Sequence, residues 1–268
     1  MSAIHTESTK SKNGLPIFVA RPANLKGTVP GIVLMHERYG FVQHTQDLAE
    51  RFAQEGFICA APDCFFRAPD QTSLHAGNSR YDITDGEAVE HLSQALDFLE
   101  ACDEVNKDCI AVKGVCQTGR HPLVLAAHRK IAAALVWYGA AQDSQWKQND
   151  LFPEPLDELI ARIDCPVLGM FGEEDHMISL DHIGLLRNSL ERHRKSYEIH
   201  VYNEAPHGWL NDTMPGRYRR AAAEAALADQ RKFLEWAFTP GRNRNLVTWR
   251  FSCESGSDYD FSSNKRQE

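Results

Sequence analysis

The amino-acid sequence predicts an α/β fold, with a mostly parallel central sheet and helices on both of its faces. Continuous apolar runs at 31–35 and 57–61 have the pattern of strands buried on both faces. Between them, the segment near 45–55 has apolar residues at helical spacing and ends at Gly56. Because strands and helices alternate along most of the chain, the strands are expected to run parallel in one sheet.

A hairpin is predicted at the start, since strand-like stretches near 2–9 and 15–20 flank the turn-forming pair Asn13 and Gly14. Thr84 and Glu87 have the spacing of a capping box that begins a helix. The other predicted strands are 109–112, 131–138, 166–172 and 197–202, which is the last one. Three more helices are predicted: one that ends near 130, one over 180–193 and one over 217–237. Irregular stretches occupy 64–82 and 140–157.

The domain prediction is one α/β domain over residues 1–240, followed by a polar and flexible tail over 241–268. The chain has 268 residues, 43% of them hydrophobic, which is enough to bury a sizeable core. No internal repeat is visible. The loops at 64–82 and 140–157 are expected to line a binding site, because long irregular segments in such folds commonly do so.

Charge and cysteine usage narrow the class of protein. There are 29 Lys and Arg residues against 37 Asp and Glu, a formal charge of −8, which excludes the basic surface needed for nucleic acid or anionic membranes. No run of 18 apolar residues and no secretory signal is visible. The seven cysteines, an odd number, fit a reducing compartment. We therefore expect a cytoplasmic protein with a small-molecule substrate and no nucleic-acid or membrane partner; the sequence specifies no oligomeric state.

Reactive side chains follow the predicted strands, where parallel sheets bind ligands. In chain order they include Cys116, Asp175 and His207, the nucleophile–acid–base order of an α/β-hydrolase with cysteine in place of serine. A thiol at a strand-to-helix turn lies at the positive end of the helix, which favours thiolate. The backbone N–H groups of Gln117 and Arg38 are expected to form the oxyanion hole.

Five motifs occur in order along the chain: the run 31–40 ending in His-Glu-x-x-Gly, Ala-Pro-Asp at 61–63, Gly-x-Cys at 114–116, Gly-x-x-Asp at 172–175 and Pro-His-Gly at 206–208. Through these motifs the sequence resembles, from about residue 10 to 238, the dienelactone hydrolase family, the cysteine-nucleophile branch of the α/β-hydrolases. The resemblance implies a cofactor-free hydrolase of a small lactone or ester, with an acidic ring-cleavage metabolite as the kind of substrate. It also implies that Glu37 interacts with the resting thiol and helps to generate the thiolate.

Two positions depart from the family pattern. Thr118 stands where the family usually has a glycine two residues after the nucleophile, and a side chain there is expected to crowd the turn. Asn211 stands where the dienelactone hydrolases have an arginine that helps to bind the substrate carboxylate. We therefore expect Arg120 or Arg80 to supply that cation. The further candidates for substrate contacts are Tyr81, Trp209 and Asn211.

Other functions remain open from the sequence alone. Any one of the seven cysteines could equally be a small buried hydrophobic residue. The crowding expected from Thr118 favours a non-catalytic small-molecule binding module on the same scaffold, and the same triad would also serve an acyltransferase. The chain has no His-Glu-x-x-His, no Cys-x-x-Cys and no glycine-rich phosphate-binding loop, so neither a metal nor a cofactor is predicted.

Overall fold

The structure, a computed structural model, describes residues 3–254. Within that range one sheet contains nine strands, and seven α-helices accompany it. The strands are β1 (Ile4–Lys10), β2 (Pro16–Pro22), β3 (Val29–Leu34), β4 (Ile58–Pro62), β5 (Val105–Val115), β6 (Ala133–Trp137), β7 (Val167–Glu174), β8 (Tyr197–Pro206) and β9 (Trp249–Cys253). The helices are α1 (Gln43–Gln54), α2 (Gln71–His75), α3 (Asp85–Glu100), α4 (His121–His128), α5 (Leu156–Arg162), α6 (Leu180–Arg192) and α7 (Arg220–Ala237).

The sheet is antiparallel at one end and parallel in the rest. Its strand order is β1-β2-β4-β3-β5-β6-β7-β8-β9. β2 pairs antiparallel with both β1 and β4, whereas every neighbouring pair from β4 to β9 is parallel. The predicted hairpin is present, and Gly14 in its turn has a φ of +84°. The predicted mostly parallel sheet is confirmed.

Helices cover both faces of the sheet, because alternate side chains of each buried strand point to opposite sides. On one face, Phe52 of α1 and Phe233 of α7 join Ile32 of β3 in an apolar cluster. On the other face, Leu96 of α3 packs in a second cluster with Val33 of β3, and α4, α5 and α6 also contribute to it. Burial of such side chains stabilises the fold by about 1.5–3 kcal/mol each.

The predicted capping box begins α3: the Thr84 hydroxyl accepts from the Glu87 N–H at 3.2 Å, and the Glu87 carboxylate accepts from the Thr84 N–H at 2.9 Å. Each of these bonds satisfies a donor that the first turn of a helix leaves unpaired. Within residues 3–254, no helix has the length and apolar content needed to cross a membrane.

Four short helical segments were missed by the sequence analysis. The loop 64–82 contains α2, and the stretch 140–157 contains a 3₁₀ helix over Asp143–Trp146 and the start of α5. After Cys116 the chain first forms a 3₁₀ turn, so that α4 begins only at His121. These segments are too short to show a helical repeat; α2, for example, buries only Leu74.

The prediction that 197–202 is the last strand is wrong. The prediction of a flexible tail from residue 241 is also wrong for residues 249–253. Those residues form β9, which pairs parallel with β8 at the edge of the sheet. An edge strand has a neighbour on one side only, and most of β9 is exposed, so it lacks the continuous apolar run of a central strand. The part of the predicted tail from 255 to 268 lies outside the described residues.

Candidate active site

Cys116 lies in a tight turn at the carboxyl end of β5. Its φ is +59°, a backbone conformation that residues other than glycine rarely adopt and that stores about 1–3 kcal/mol of strain. The turn is close: a Cβ at Gly114 would lie 2.3 Å from the carbonyl oxygen of Thr118, so only glycine fits there. The turn places Cys116 in the wall of a cavity at the carboxyl edge of the parallel strands.

Thr118 fits this turn rather than crowding it, which corrects the expectation drawn from its side chain. The side chain is buried, and its hydroxyl donates to the carbonyl of His36 at 2.9 Å and accepts from the N–H of Val115 at 3.1 Å. The first bond ties the turn to the segment that follows β3, and the second ties it to the last residue of β5. The observation that favoured a non-catalytic binding module is thereby removed.

The structure brings Cys116, His207 and Asp175 together in one hydrogen-bonded chain. Cys116 Sγ lies 3.1 Å from His207 Nε2, and His207 Nδ1 lies 2.8 Å from Asp175 Oδ2. The other carboxylate oxygen, Asp175 Oδ1, accepts from the backbone N–H groups of Met177 and Ile178 at 2.8 and 3.0 Å. The loop after β7 therefore fixes the carboxylate, and the carboxylate orients the imidazole.

The electrostatics of this chain favour a protonated imidazole. Burial lowers the pKa of His207, but its hydrogen bonds to Asp175 and Cys116 and the charges of these groups outweigh burial and raise the pKa to about 10. Asp175 has no exposed side-chain surface, so its interaction with the imidazole is weakly screened. The site can therefore hold an imidazolium next to the sulfur.

The hydrogen bonds of Glu37 go to groups other than the thiol, so the role that the resemblance implied for it stays a prediction. Glu37 follows β3, is buried, and accepts one hydrogen bond from the Tyr138 hydroxyl at 3.0 Å and another from the Asn211 amide at 2.6 Å. The proximity of Glu37 adds to burial in raising the pKa of Tyr138, which keeps the phenol protonated and able to donate. Both carboxylate oxygens of Glu37 are thus satisfied by neutral donors, while the thiol pairs with His207.

The cavity beside Cys116 has a volume of about 440 Å³. Both residues predicted to supply the oxyanion hole, Gln117 and Arg38, line it. The Gln117 amide donates to the Tyr81 carbonyl at 2.7 Å, and the Arg38 guanidinium donates to the Gly77 carbonyl at 3.1 Å. Their side chains are therefore held by the loop 64–82, as expected for a segment that lines the site.

Arg120 is not available to a substrate, contrary to the prediction. Its side chain is 1% exposed and pairs bidentately with Asp85, through Nη2–Oδ2 at 2.8 Å and Nε–Oδ1 at 3.0 Å. It also donates to the carbonyls of Gln145 and Glu154, and its guanidinium lies over the Phe152 ring at 4.5 Å. Each nitrogen of the guanidinium is hydrogen-bonded to the protein, so Arg120 holds the cavity wall instead of binding a carboxylate.

Three other predicted substrate contacts lie outside the cavity wall. Tyr81 packs its ring on Phe65, with ring centroids 5.6 Å apart. Trp209 is fully buried and stacks on Trp137 at 5.5 Å. Asn211 is 1% exposed and uses its amide to hold Glu37. Trp209 and Asn211 are thus buried in the interior, and Tyr81 is partly buried against the core, so tertiary packing directs all three side chains away from the cavity.

Arg80 does line the cavity, and the structure adds wall residues that the sequence analysis missed. Arg80 pairs with Asp82 at 2.8 Å, and 60% of its side chain is exposed. Arg217 passes over Gly208, with Cδ and Nη1 3.6 and 3.9 Å from the point where a Cβ of that glycine would stand. Arg217 lies between β8 and α7, where no spacing or motif marked it. The other wall residues that were not predicted include His121, Gln145 and His176.

Among residues 3–254, no group of three or more His, Cys, Asp or Glu side chains has the arrangement of a metal site. The cavity wall does contain the Cys116 thiol and the His207 imidazole, which is hydrogen-bonded to Asp175.

The comparison with known proteins decides the family. A sequence model of the dienelactone hydrolase family matches residues 15–238. The chain belongs to this family. The prediction that it is a hydrolase of lactone or ester bonds with an α/β-hydrolase fold is confirmed at that level.

Individual family members agree with the match. A Yersinia pestis protein provisionally named a carboxymethylenebutenolidase is 29% identical over 228 residues, which cover 83% of this chain and 82% of that protein. A Bradyrhizobium protein provisionally named a 2-oxo-3-(5-oxofuran-2-ylidene)propanoate lactonase is 25% identical, over 82% of this chain and 88% of that protein. The crystal structure of a Klebsiella pneumoniae protein, provisionally named a dienelactone hydrolase, superposes with a TM-score of 0.76 at 26% identity and covers 87% of this chain and 98% of that one.

Proposed function

We propose that this member of the dienelactone hydrolase family hydrolyses a small, anionic lactone or ester through Cys116, His207 and Asp175, by way of an acyl-enzyme. The observation that carries the proposal is the continuous chain from Cys116 Sγ to His207 to Asp175, with contacts of 3.1 and 2.8 Å. Nucleophile, base and orienting carboxylate are each within hydrogen-bond reach of the next, as nucleophilic catalysis requires.

In the first half-reaction, the sulfur of Cys116 attacks the carbonyl carbon of the substrate and a C–S bond forms. The carbonyl oxygen takes the electron pair, and the backbone N–H groups of Gln117 and Arg38 stabilise its negative charge. When the tetrahedral intermediate collapses, the C–O bond to the leaving alkoxide breaks. The proton on His207 Nε2 goes to that alkoxide, and Asp175 keeps the imidazole in the correct orientation.

In the second half-reaction, His207 takes a proton from a water molecule as the water oxygen attacks the thioester carbon. A second tetrahedral intermediate forms, its C–S bond breaks, and Cys116 leaves with the imidazolium again beside it. The product is the carboxylic acid of the opened lactone, or the acid and alcohol of an ester. The high pKa of His207, about 10, fits an imidazolium–thiolate pair as the resting state.

The charges of the cavity wall support an anionic substrate. Glu37 is bound by neutral donors, so its charge remains near the cavity and opposes an anion. Arg80 and Arg217 line the same cavity. Arg80 is paired with Asp82, whereas the Arg217 side chain forms no ion pair or hydrogen bond with any residue in 3–254, which leaves its guanidinium for a ligand. The name of the Bradyrhizobium relative, a lactonase of a propanoate, describes an anionic lactone of this kind.

Substitution of Cys116 tests the mechanism. We expect Cys116→Ala to abolish turnover of p-nitrophenyl esters and small lactones, and iodoacetamide to modify Cys116 in preference to the other cysteines. Cys116→Ser should keep a trace of activity, since an oxygen nucleophile can use the same base. Full activity of Cys116→Ala would end this mechanism. Product formation that depends on an added acceptor would show an acyltransferase instead.

Arg217→Ala tests the charge preference. We expect KM for an acidic lactone to rise by one to two orders of magnitude, the equivalent of about 1.5–3 kcal/mol for a hydrogen bond to a charged group, with turnover of a neutral ester nearly unchanged. Arg80→Ala should have a smaller effect, because Asp82 already engages its guanidinium. Arg219→Ala is a matched control, since that guanidinium donates to the Glu204 carbonyl. Equal losses on acidic and neutral substrates would contradict a role in charge recognition.

A further inference from the structure

Two neutral polar side chains form a part of the cavity wall that the proposed mechanism does not use. His121 is the first residue of α4, and Gln145 belongs to the 3₁₀ helix over Asp143–Trp146. Both line the cavity that contains Cys116, and they are only 3% and 7% exposed. They therefore reach the cavity from an interior position, unlike the exposed arginines of the same wall.

Each of the two side chains has a polar atom that the protein leaves unsatisfied. Nδ1 of His121 and Oε1 of Gln145 are buried and have no hydrogen-bond partner within residues 3–254. Burial of a polar group without a partner is unfavourable, so a ligand that hydrogen-bonds to these two atoms would gain affinity. Two such groups on one cavity wall indicate a place where a ligand completes the hydrogen bonding.

The backbone around Gln145 is fixed, although its side-chain amide is not. The Gln145 carbonyl accepts from Arg120 Nη1 at 3.1 Å, and its N–H donates to the Gln142 carbonyl at 2.9 Å. Arg120 is in turn locked by Asp85 and directly precedes His121. The buried ion pair thus holds both residues in the cavity wall, where Nδ1 of His121 and Oε1 of Gln145 have no partner among residues 3–254.

The chemistry of this wall selects an uncharged group. Burial, with the nearby Arg120, His36 and His91, lowers the pKa of His121 to about 3, so the imidazole is neutral and offers one donor and one acceptor nitrogen. The Gln145 amide likewise donates and accepts. Leu151 and Phe152 line the same cavity, and apolar neighbours strengthen each hydrogen bond made beside them. A hydroxyl group, which is neutral and both donates and accepts, matches this set.

We infer that His121 and Gln145 form a polar subsite that binds a hydroxyl group of the substrate, so that the enzyme prefers hydroxylated lactones or esters to their deoxy counterparts. The inference rests on the proposed function, because it assigns the subsite to the same cavity and substrate. It concerns the part of the substrate that is neither the reacting carbonyl nor the anionic group.

Binding to the Cys116→Ala variant tests the subsite separately from catalysis. The probes are γ-butyrolactone and its α-hydroxy and β-hydroxy derivatives, with affinities measured by NMR titration. We expect at least one hydroxylated lactone to bind about tenfold more tightly than the parent, the equivalent of one good hydrogen bond. Adding His121→Phe or Gln145→Met, which keep shape but remove the polar atoms, should reduce the preference to about twofold or less.

Turnover provides the second measurement, in the enzyme that retains Cys116. The same substitutions should lower kcat/KM about tenfold for the p-nitrophenyl ester of 2-hydroxybutyrate or 3-hydroxybutyrate, and less than threefold for that of butyrate. Comparing each ester across variants cancels its intrinsic reactivity. The matched controls are His128→Phe, at the exposed end of α4, and Gln54→Met, which is exposed on α1.

The outcomes separate cleanly. A hydroxyl preference that is lost in both variants and kept in both controls supports the subsite. The inference is overturned if the wild type shows no hydroxyl preference in either assay, if the preference survives both substitutions, or if parent and hydroxylated compounds lose equally. Failure of the proposed function would instead appear as unchanged turnover in Cys116→Ala, which the binding assay does not depend on.

Discussion

Two buried carboxylates lie at the carboxyl edge of the same sheet, and their hydrogen-bond partners differ in kind. Asp175, after β7, bonds a titratable imidazole at 2.8 Å and two backbone N–H groups. Glu37, after β3, bonds a phenol at 3.0 Å and an amide at 2.6 Å, neither of which ionises near neutral pH. Only the first carboxylate can change the protonation of a group that touches the nucleophile.

A third buried carboxylate, Asp85, extends the comparison. Its partner is the permanent cation Arg120, and the pair sits behind the cavity wall. The three side chains are chemically similar and similarly buried. In the proposed mechanism, the carboxylate with a titratable partner takes part in proton transfer, whereas the carboxylates paired with neutral groups or with a permanent cation hold the surrounding structure in place.

The largest effect is expected from Asp175→Asn. The amide can still accept the two backbone hydrogen bonds, but it cannot stabilise the imidazolium or hold the correct tautomer of His207. We expect kcat for a p-nitrophenyl ester to fall by about 10³–10⁴, with a much smaller change in thermal stability. Steady-state kinetics and thermal unfolding check this together. A loss below about tenfold would mean that Asp175 does not orient the base.

Arg120→Met should have the next largest effect, on stability. It leaves Asp85 buried without its cation, for which we expect a loss of about 3–5 kcal/mol in the free energy of unfolding, measured with urea. Arg162→Met is the matched control, because the Arg162–Glu154 pair is 41% and 34% exposed and should contribute at most about 1 kcal/mol. The double variant Arg120→Met with Asp85→Leu should recover much of the loss. A small effect of Arg120→Met alone would show that this ion pair contributes little to the free energy of unfolding.

The pH dependence is the third prediction. The pKa of His207 is raised above its usual value, so the stability contributed by this group is fully present below pH 6.5 and is lost as the pH rises through about 10. For activity, we expect kcat/KM to fall about tenfold per pH unit above pH 10, as the imidazolium loses the proton destined for the leaving group.

Asp175→Asn should move this break to lower pH, and Glu37→Gln should leave it in place. Rates corrected for spontaneous hydrolysis, together with circular dichroism to confirm folding at each pH, provide the measurement. A break that moves equally in both variants would contradict the difference between the two carboxylates.

Features that a short segment of the chain encodes by itself could be predicted from the sequence, and features that depend on distant segments could not. The central strands were predictable because buried parallel strands carry their own apolar runs, as at 31–35. Cys116, Asp175 and His207 were predictable as neighbours because each follows a strand of one parallel sheet, whose carboxyl ends share an edge. Their catalytic roles remain a prediction.

The partners of the other site residues were not predictable, since distant segments supply them. Glu37 is 101 residues from Tyr138 and 174 from Asn211 in the chain. The position of Arg120 one turn after Cys116 indicated that its side chain would face the cavity. Its guanidinium instead pairs with Asp85, which lies 35 residues away in the chain. Trp209 follows His207 closely, yet its ring stacks in the core. Tertiary packing, which no short motif encodes, decided all of these.

The smallest effect is expected from Glu37→Gln. The substituted amide can still accept from Tyr138, and Glu37 touches neither Cys116 nor His207 through any hydrogen bond of the described residues. Its second contact is weakened, because Asn211 must now face an amide instead of a charge. We therefore expect a loss of about 1–2 kcal/mol in the free energy of unfolding and less than a tenfold loss in kcat/KM.

The decisive readout for Glu37→Gln is its comparison with Asp175→Asn on the same ester, at a pH where both variants are folded. If the two carboxylates differ as their partners indicate, the Asp175 variant loses at least a hundredfold more activity than the Glu37 variant. Equal losses, with the thiol of the Glu37 variant reacting slowly with iodoacetamide, would show that Glu37 reaches the thiol during the reaction, as the family resemblance implied. In that case the neutral partners seen here describe one state of Glu37, and the carboxylate after β3 also takes part in generating the nucleophile.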